Sequence, residues 1–144
     1  MKAFSNLLSD LILTSSRNRK LSLLEQYFSS TPDPDRGYAL AALTGSLNFK
    51  NIKASFFKDL IKEKQDEHLF DLSYDYVGDL AETISLLWDQ EKSGNMPRLS
   101  SLFENLKKAK TDELNNYIIN ILNISTADQR WAFIKLFTGG LRIG

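Results

Sequence analysis

The sequence predicts an all-α fold, on two observations. Apolar residues recur at spacings of three and four along nearly the whole chain, and no stretch sustains the alternation that a half-buried strand needs. The segments between these stripes carry helix stop and start chemistry. In order, the stripes are Leu7, Leu8, Leu11 and Ile12; Leu21, Leu24, Tyr27 and Phe28; and Phe56, Phe57, Leu60 and Ile61. They continue with Leu80, Ile84, Leu87 and Trp88, and then Leu99, Leu102, Phe103 and Leu106. Leu114, Tyr117, Ile118, Ile121 and Leu122 follow, and Phe133, Leu136 and Phe137 close the set.

The breaks have their own physical reasons. Thr31-Pro32-Asp33-Pro34-Asp35 must turn, because a proline inside a helix removes a donor and clashes with the preceding turn. Ser93-Gly94-Asn95-Met96-Pro97 reads as a second loop. Ser101 with Glu104, and Thr126 with Gln129, have the spacing at which side chain and backbone satisfy each other at a helix start. Gly78 reads as a helix break and Asp79 as the cap of the next helix. The expectation is one compact domain over residues 1–144, built of eight or nine short helices joined by loops of two to eight residues.

Composition narrows the classes. Hydrophobic residues are 42% and charged residues 25% of the chain, ordinary values for a globular protein. No apolar run approaches the roughly 20 residues that span a bilayer, and Asn6 and Asp10 interrupt any signal-peptide core near the start. The chain has no cysteine, which excludes disulfides and thiolate metal sites and makes a cytoplasmic setting the expectation. Net charge is zero but unevenly spread: residues 1–64 hold ten Lys/Arg against six Asp/Glu, and residues 65–144 hold eight against twelve. A basic face on a neutral domain suffices to neutralise phosphates.

Few residues suggest catalysis. His68 is the single histidine, too few for a histidine metal cluster, and reads as a surface or helix-end residue. Asp59, Glu63, Asp66, Glu67, Asp71 and Asp75 read as a solvated face, and Lys107, Lys108 and Lys110 as cations favoured at a helix C-terminus. Three segments offer more. Ser15-Ser16-Arg17-Asn18-Arg19-Lys20 combines small hydroxyl residues, a helix start and cations, a pattern suited to an anion but equally to a solvated turn. Leu43-Thr44-Gly45-Ser46, followed by Asn48, Lys50 and Lys53, repeats that pattern with the same two readings. In Phe137-Thr138-Gly139-Gly140-Leu141-Arg142-Ile143-Gly144, paired glycines would let a sugar–phosphate strand approach the main chain, or would simply stop a helix.

These segments also carry a resemblance. Lys135-Leu136-Phe137-Thr138-Gly139-Gly140-Leu141-Arg142-Ile143-Gly144 resembles the K-L-x-T-G-G-x-R-x-G segment that closes the N-terminal domain of bacterial and archaeal-type ATP-dependent DNA ligases. Val77-Gly78-Asp79-Leu80-Ala81-Glu82-Thr83-Ile84 is similar to that family's V-G-D-L-A-E-T-I segment. Tyr38-Ala39-Leu40-Ala41-Ala42-Leu43-Thr44-Gly45 resembles its helix ending in L-T-G, and Lys20-Leu21-Ser22-Leu23-Leu24-Glu25-Gln26-Tyr27-Phe28 its K-x-x-L-L-x-x-Y-F helix. The four occur in the family's order and span almost the whole chain.

The resemblance implies a helical DNA-binding domain that grips the minor groove and backbone of nicked double-stranded DNA in replication, recombination and repair. By carry-over, Thr138, Gly139, Gly140, Leu141, Arg142 and Gly144 lie along the backbone, with Ser16, Arg17, Asn18, Lys20, Thr44, Gly45, Lys50 and Lys53 as parallel candidates at other helix junctions. Ser46-Leu47-Asn48-Phe49 lacks the extra arginines often found after L-T-G in the family. Ligase chemistry needs a K-x-D-G lysine, and Lys58-Asp59-Leu60 has neither its spacing nor its glycine. The resemblance therefore implies a monomeric domain cut before the adenylation and OB domains of its parent polypeptide. ATP and Mg2+ would serve those domains, and this chain alone would neither bind ATP nor seal DNA. The alternative expectation is a helical protein-interaction domain with no affinity for nucleic acid.

Overall fold

All seven amphipathic stripes lie in helices of the computed structural model, which describes residues 1–45, 49, 52–89 and 94–138. Among the described residues there are nine helices and no strand. They are α1 (Lys2–Leu13), α2 (Arg17–Ser30), α3 (Asp35–Leu43), α4 (Ala54–Lys64), α5 (Glu67–Val77), α6 (Leu80–Leu87), α7 (Leu99–Lys108), α8 (Thr111–Ile124) and α9 (Ala127–Thr138). Together they enclose one hydrophobic core and form a single compact domain. Two connections, residues 44–53 and 88–98, are longer than the expected eight residues, and both include residues outside the described set.

Helix ends explain several boundaries. Ser16 caps α2 by accepting a hydrogen bond from the Arg19 N–H at 3.3 Å. Thr126 and Gln129 form the expected reciprocal box before α9: the Thr126 N–H donates to Gln129 Oε1, and the Gln129 N–H to Thr126 Oγ1. Gly78 ends α5 with φ of 80°, a left-handed conformation costly for any other residue, and its N–H donates to the Tyr74 carbonyl at 2.7 Å.

Two expected caps are corrected. Ser101 and Glu104 do not start a helix, because α7 already begins at Leu99. Its first turn is held from another helix instead: the Ser100 N–H donates to Asp35 Oδ1 at 2.9 Å, and Arg98 Nε lies 3.4 Å from Asp35 Oδ2. A carboxylate from α3 thus does what a local serine was expected to do. Asp79 does occupy the N-cap position of α6, but its side chain caps nothing. It pairs with Lys135 Nζ of α9 at 3.0 Å, tying the two helices together.

The core is organised around α6 and α9, the most extensively packed helix pair. Ala81 and Ser85 of α6 and Ala132 of α9 are small and buried, which lets the two axes approach closely. Trp88, at the end of α6, donates through Nε1 to Asn123 Oδ1 of α8 at 2.9 Å, and its carbonyl accepts from the Arg130 guanidinium of α9. Helix α1 covers the other side of α9, and α2 lies on α1. The Phe4 and Tyr27 rings, 6.1 Å apart, show that α2 runs back along α1. The expected α2 stripe is shifted: Leu23 and Tyr27 are buried, while Leu21 is exposed. Among the described residues no helix is long and apolar enough to cross a membrane.

Candidate nucleic-acid interface

Two of the three sequence-predicted segments converge in space. Helices α3 and α7 run side by side in the same direction, joined at their starts by Asp35 and Ser100 and further on by the stacked rings of Tyr38 and Phe103, 5.4 Å apart. Their far ends, at Leu43 and Lys108, therefore point the same way. Lys107 Nζ sits 5.4 Å from the centre of the Tyr38 ring. Phe49, in the following connection, stacks on Phe103 at 5.5 Å and meets Phe137 of α9 edge-on at 5.2 Å. Phe57, in the second turn of α4, lies 5.9 Å from the same Phe137. Phe49, from the connection that follows Gly45, and Phe57, near the start of α4, thus meet Phe137, near the end of α9, in one aromatic cluster.

The local chemistry at this end favours an anion. Gly45 has φ of 76°, the turn's left-handed residue, and a Cβ placed there would meet nothing within 4 Å, so the backbone is open on that side. Lys53 is exposed at the N-cap of α4 and supplies no side-chain cap, while the Phe56 N–H donates to its carbonyl at 3.0 Å. Lys107 and Lys108 are exposed in the last turn of α7. Sequence reading assigned these lysines only to the helix dipole. The signal that could have joined them to the corner was the Tyr38 ring, one helix face away from both. Thr44 Oγ1 and Thr138 Oγ1 donate back to the Leu40 and Ile134 carbonyls, so both hydroxyls cap their own helices.

The third segment stands apart. Ser9, Ile12 and Leu13, at the end of α1, border Ala127, Asp128 and Trp131, in the first turns of α9. Ser16, Arg17, Asn18 and Lys20 follow that end of α1, whereas Thr138 lies at the far end of α9, roughly 16 Å along its axis. Arg17 and Asn18 are exposed and Lys20 is half-buried. Between the two ends α9 carries Asp128 and the Asp79-paired Lys135, so no positive strip along α9 joins the two corners. Lys50, Gly139, Gly140, Leu141, Arg142 and Gly144 lie outside the described residues.

His68 is exposed in the first turn of α5, where its N–H donates to Asp66 Oδ1 at 2.8 Å. Arg130 is 5% exposed, and burial pushes its pKa down, with Asp89 acting in the opposite sense. Its Nε has no hydrogen-bond partner. Lys58 lies over the Tyr74 ring at 5.3 Å. Among the described residues no three His, Asp or Glu side chains come together in a group that could hold a metal ion. Compared with known proteins, the chain matches no family model, no curated sequence and no solved structure.

Proposed function

We propose that this domain binds double-stranded DNA through its phosphates and sugars and serves an ATP-dependent DNA ligase, gripping nicked duplex while adenylation and OB domains do the sealing. The observation that supports the reading is the packing of Phe49, from the connection after Gly45, and Phe57, near the start of α4, against Phe137, next to Thr138. Phe49 and Phe137 come from the segments with the family's L-T-G and T-G-G-x-R-x-G patterns, far apart in the sequence. An open glycine turn and exposed lysine ammonium groups suit a sugar–phosphate strand. A protein that must accept any sequence at a nick gains most from contacts to the backbone.

The corner at Arg17 then acts as a second, separate contact, roughly 16 Å from the first along α9. A duplex is broad enough to touch both ends of one helix. Fluorescence anisotropy with nicked and intact duplexes tests the reading. With about four to six phosphates neutralised, affinity should fall by roughly two to three orders of magnitude between 50 and 200 mM salt. An affinity indifferent to salt rejects it. Arg142→Ala should weaken all duplexes about equally, and unchanged binding removes the C-terminal segment from the interface.

A further inference from the structure

An apolar, hollowed part of the surface adjoins the Arg17 corner. Two adjoining hollows, of about 350 and 310 Å³, flank α6 and share Leu86 as the ridge between them. Ile12, Leu13 and Trp131 line the first, and Leu72 and Tyr76 the second. These are not stray surface residues: Leu13 is 85% exposed, Leu86 66% and Tyr76 93%. A contiguous apolar patch contributed by four helices marks an interaction surface.

The charges around it select the partner. Glu82 and Asp128 are the charged side chains lining the hollows. Each of the four helices also places an exposed carboxylate one turn from its groove residue: Asp10 before Leu13, Glu82 before Leu86, Asp128 before Trp131 and Asp75 after Leu72. Lys135, one turn beyond Trp131, is committed to Asp79. Arg17 and Arg19 begin one turn past Leu13 and mark one end of the groove, while the hollow between α5 and α6 is lined by uncharged residues with exposed Asp75 one turn from Leu72.

We infer that this groove docks a basic amphipathic helix of a protein partner, its apolar stripe seated across Leu13, Leu86 and Tyr76 and its lysines or arginines facing the carboxylates. A second copy joined through the same face would set these carboxylates against each other. Anionic lipid and DNA are repelled by the same charges. Helix-in-groove recognition needs an apolar channel with alternating ridges, which Leu86 between two hollows provides.

The test uses the whole chain and two synthetic helices of about 18 residues, roughly five turns. They share one leucine stripe and differ in lysine or glutamate flanks. Fluorescence anisotropy should show the lysine peptide binding at least about tenfold tighter than its glutamate twin. Leu86→Asp, at an exposed position that leaves the melting curve unchanged, should weaken the lysine peptide by about tenfold or more. Glu82→Gln with Asp128→Asn should remove most of the preference between twins. Equal binding of the twins, binding of neither, or Leu86-dependent self-association in sedimentation overturns the inference. Duplex affinity of Leu86→Asp should match the wild type. A loss there assigns the groove to the DNA face and overturns the inference, whereas failure of duplex binding in the wild type leaves the peptide result standing.

Discussion

Asp35→Ala severs the one carboxylate that fastens α3 to the start of α7. In the folded chain Asp35 accepts from the Ser100 N–H at 2.9 Å and pairs with Arg98, and its side chain is only 14% exposed. The Ser100 bond does the work of a helix N-cap, worth about 1 kcal/mol. The Arg98 partner is 61% exposed, so solvent screening reduces that pair to a few tenths of a kcal/mol. The sum is about 1.5 kcal/mol. For a chain of 144 residues the unfolding entropy is about 0.3 kcal/mol per kelvin, so the variant should melt roughly 5 °C lower at pH 7. Asp35→Asn keeps an accepting oxygen and should lose about half as much.

The same contact has a pH signature. Burial alone would raise the Asp35 pKa, but the hydrogen bonds from Ser100, and then the Arg98 charge, outweigh it and hold the carboxyl below its usual value of 3.8. A depressed folded-state pKa stabilises above the unfolded value and is lost as pH falls through the folded value. The gap between wild type and Asp35→Ala in calorimetric melts should therefore be full at pH 5 and narrow below about pH 4. Equal melting temperatures at pH 7, or a gap that keeps its size below pH 3, would refute this account of how α7 is anchored.

Three further outcomes test separate features. Gly78→Ala should cost about 1 kcal/mol by strain alone, since space around Gly78 is open while φ is 80°; an unchanged chemical-denaturation midpoint would contradict it. Arg130→Ala should cost about 3 kcal/mol in denaturant titrations by leaving a void and the Trp88 carbonyl unpaired. Arg130→Met, which fills the space and removes the orphaned Nε, should cost less than half of that. Lys53→Ala combined with Lys107→Ala should lower the salt slope of duplex binding by about 2 without altering the melt, as loss of two phosphate contacts requires; an unchanged slope places both lysines outside the interface.

The fold was legible wherever a helix packs one face on the core. Leu99, Leu102, Phe103 and Leu106 follow the helical spacing and are all buried. Legibility failed where long-range contacts replaced local ones. Nothing near Ser101 reveals that Asp35, 65 residues earlier, holds the first turn of α7. Nothing in the sequence around Arg130 shows that its guanidinium is buried against the Trp88 carbonyl, 42 residues earlier. Leu13, Leu72 and Leu86 fall outside the apolar stripes, and pattern along the chain does not show that they meet at one groove. For the candidate interface, residue types at each corner were readable, but their partnership was not. Which corners meet depends on α3 and α7 running in parallel, and pattern along one chain does not encode direction in space.

Phe49 deserves a mechanical reading. Its ring is wedged between Phe103 and Phe137, so α7 and α9 share one pin. A displacement imposed at either helix end must be passed through that ring or relieved by deforming it. Phe49→Ala would then loosen the relative placement of Gly45 and Thr138 while removing no polar group, and a bound strand would have to pay for realigning them.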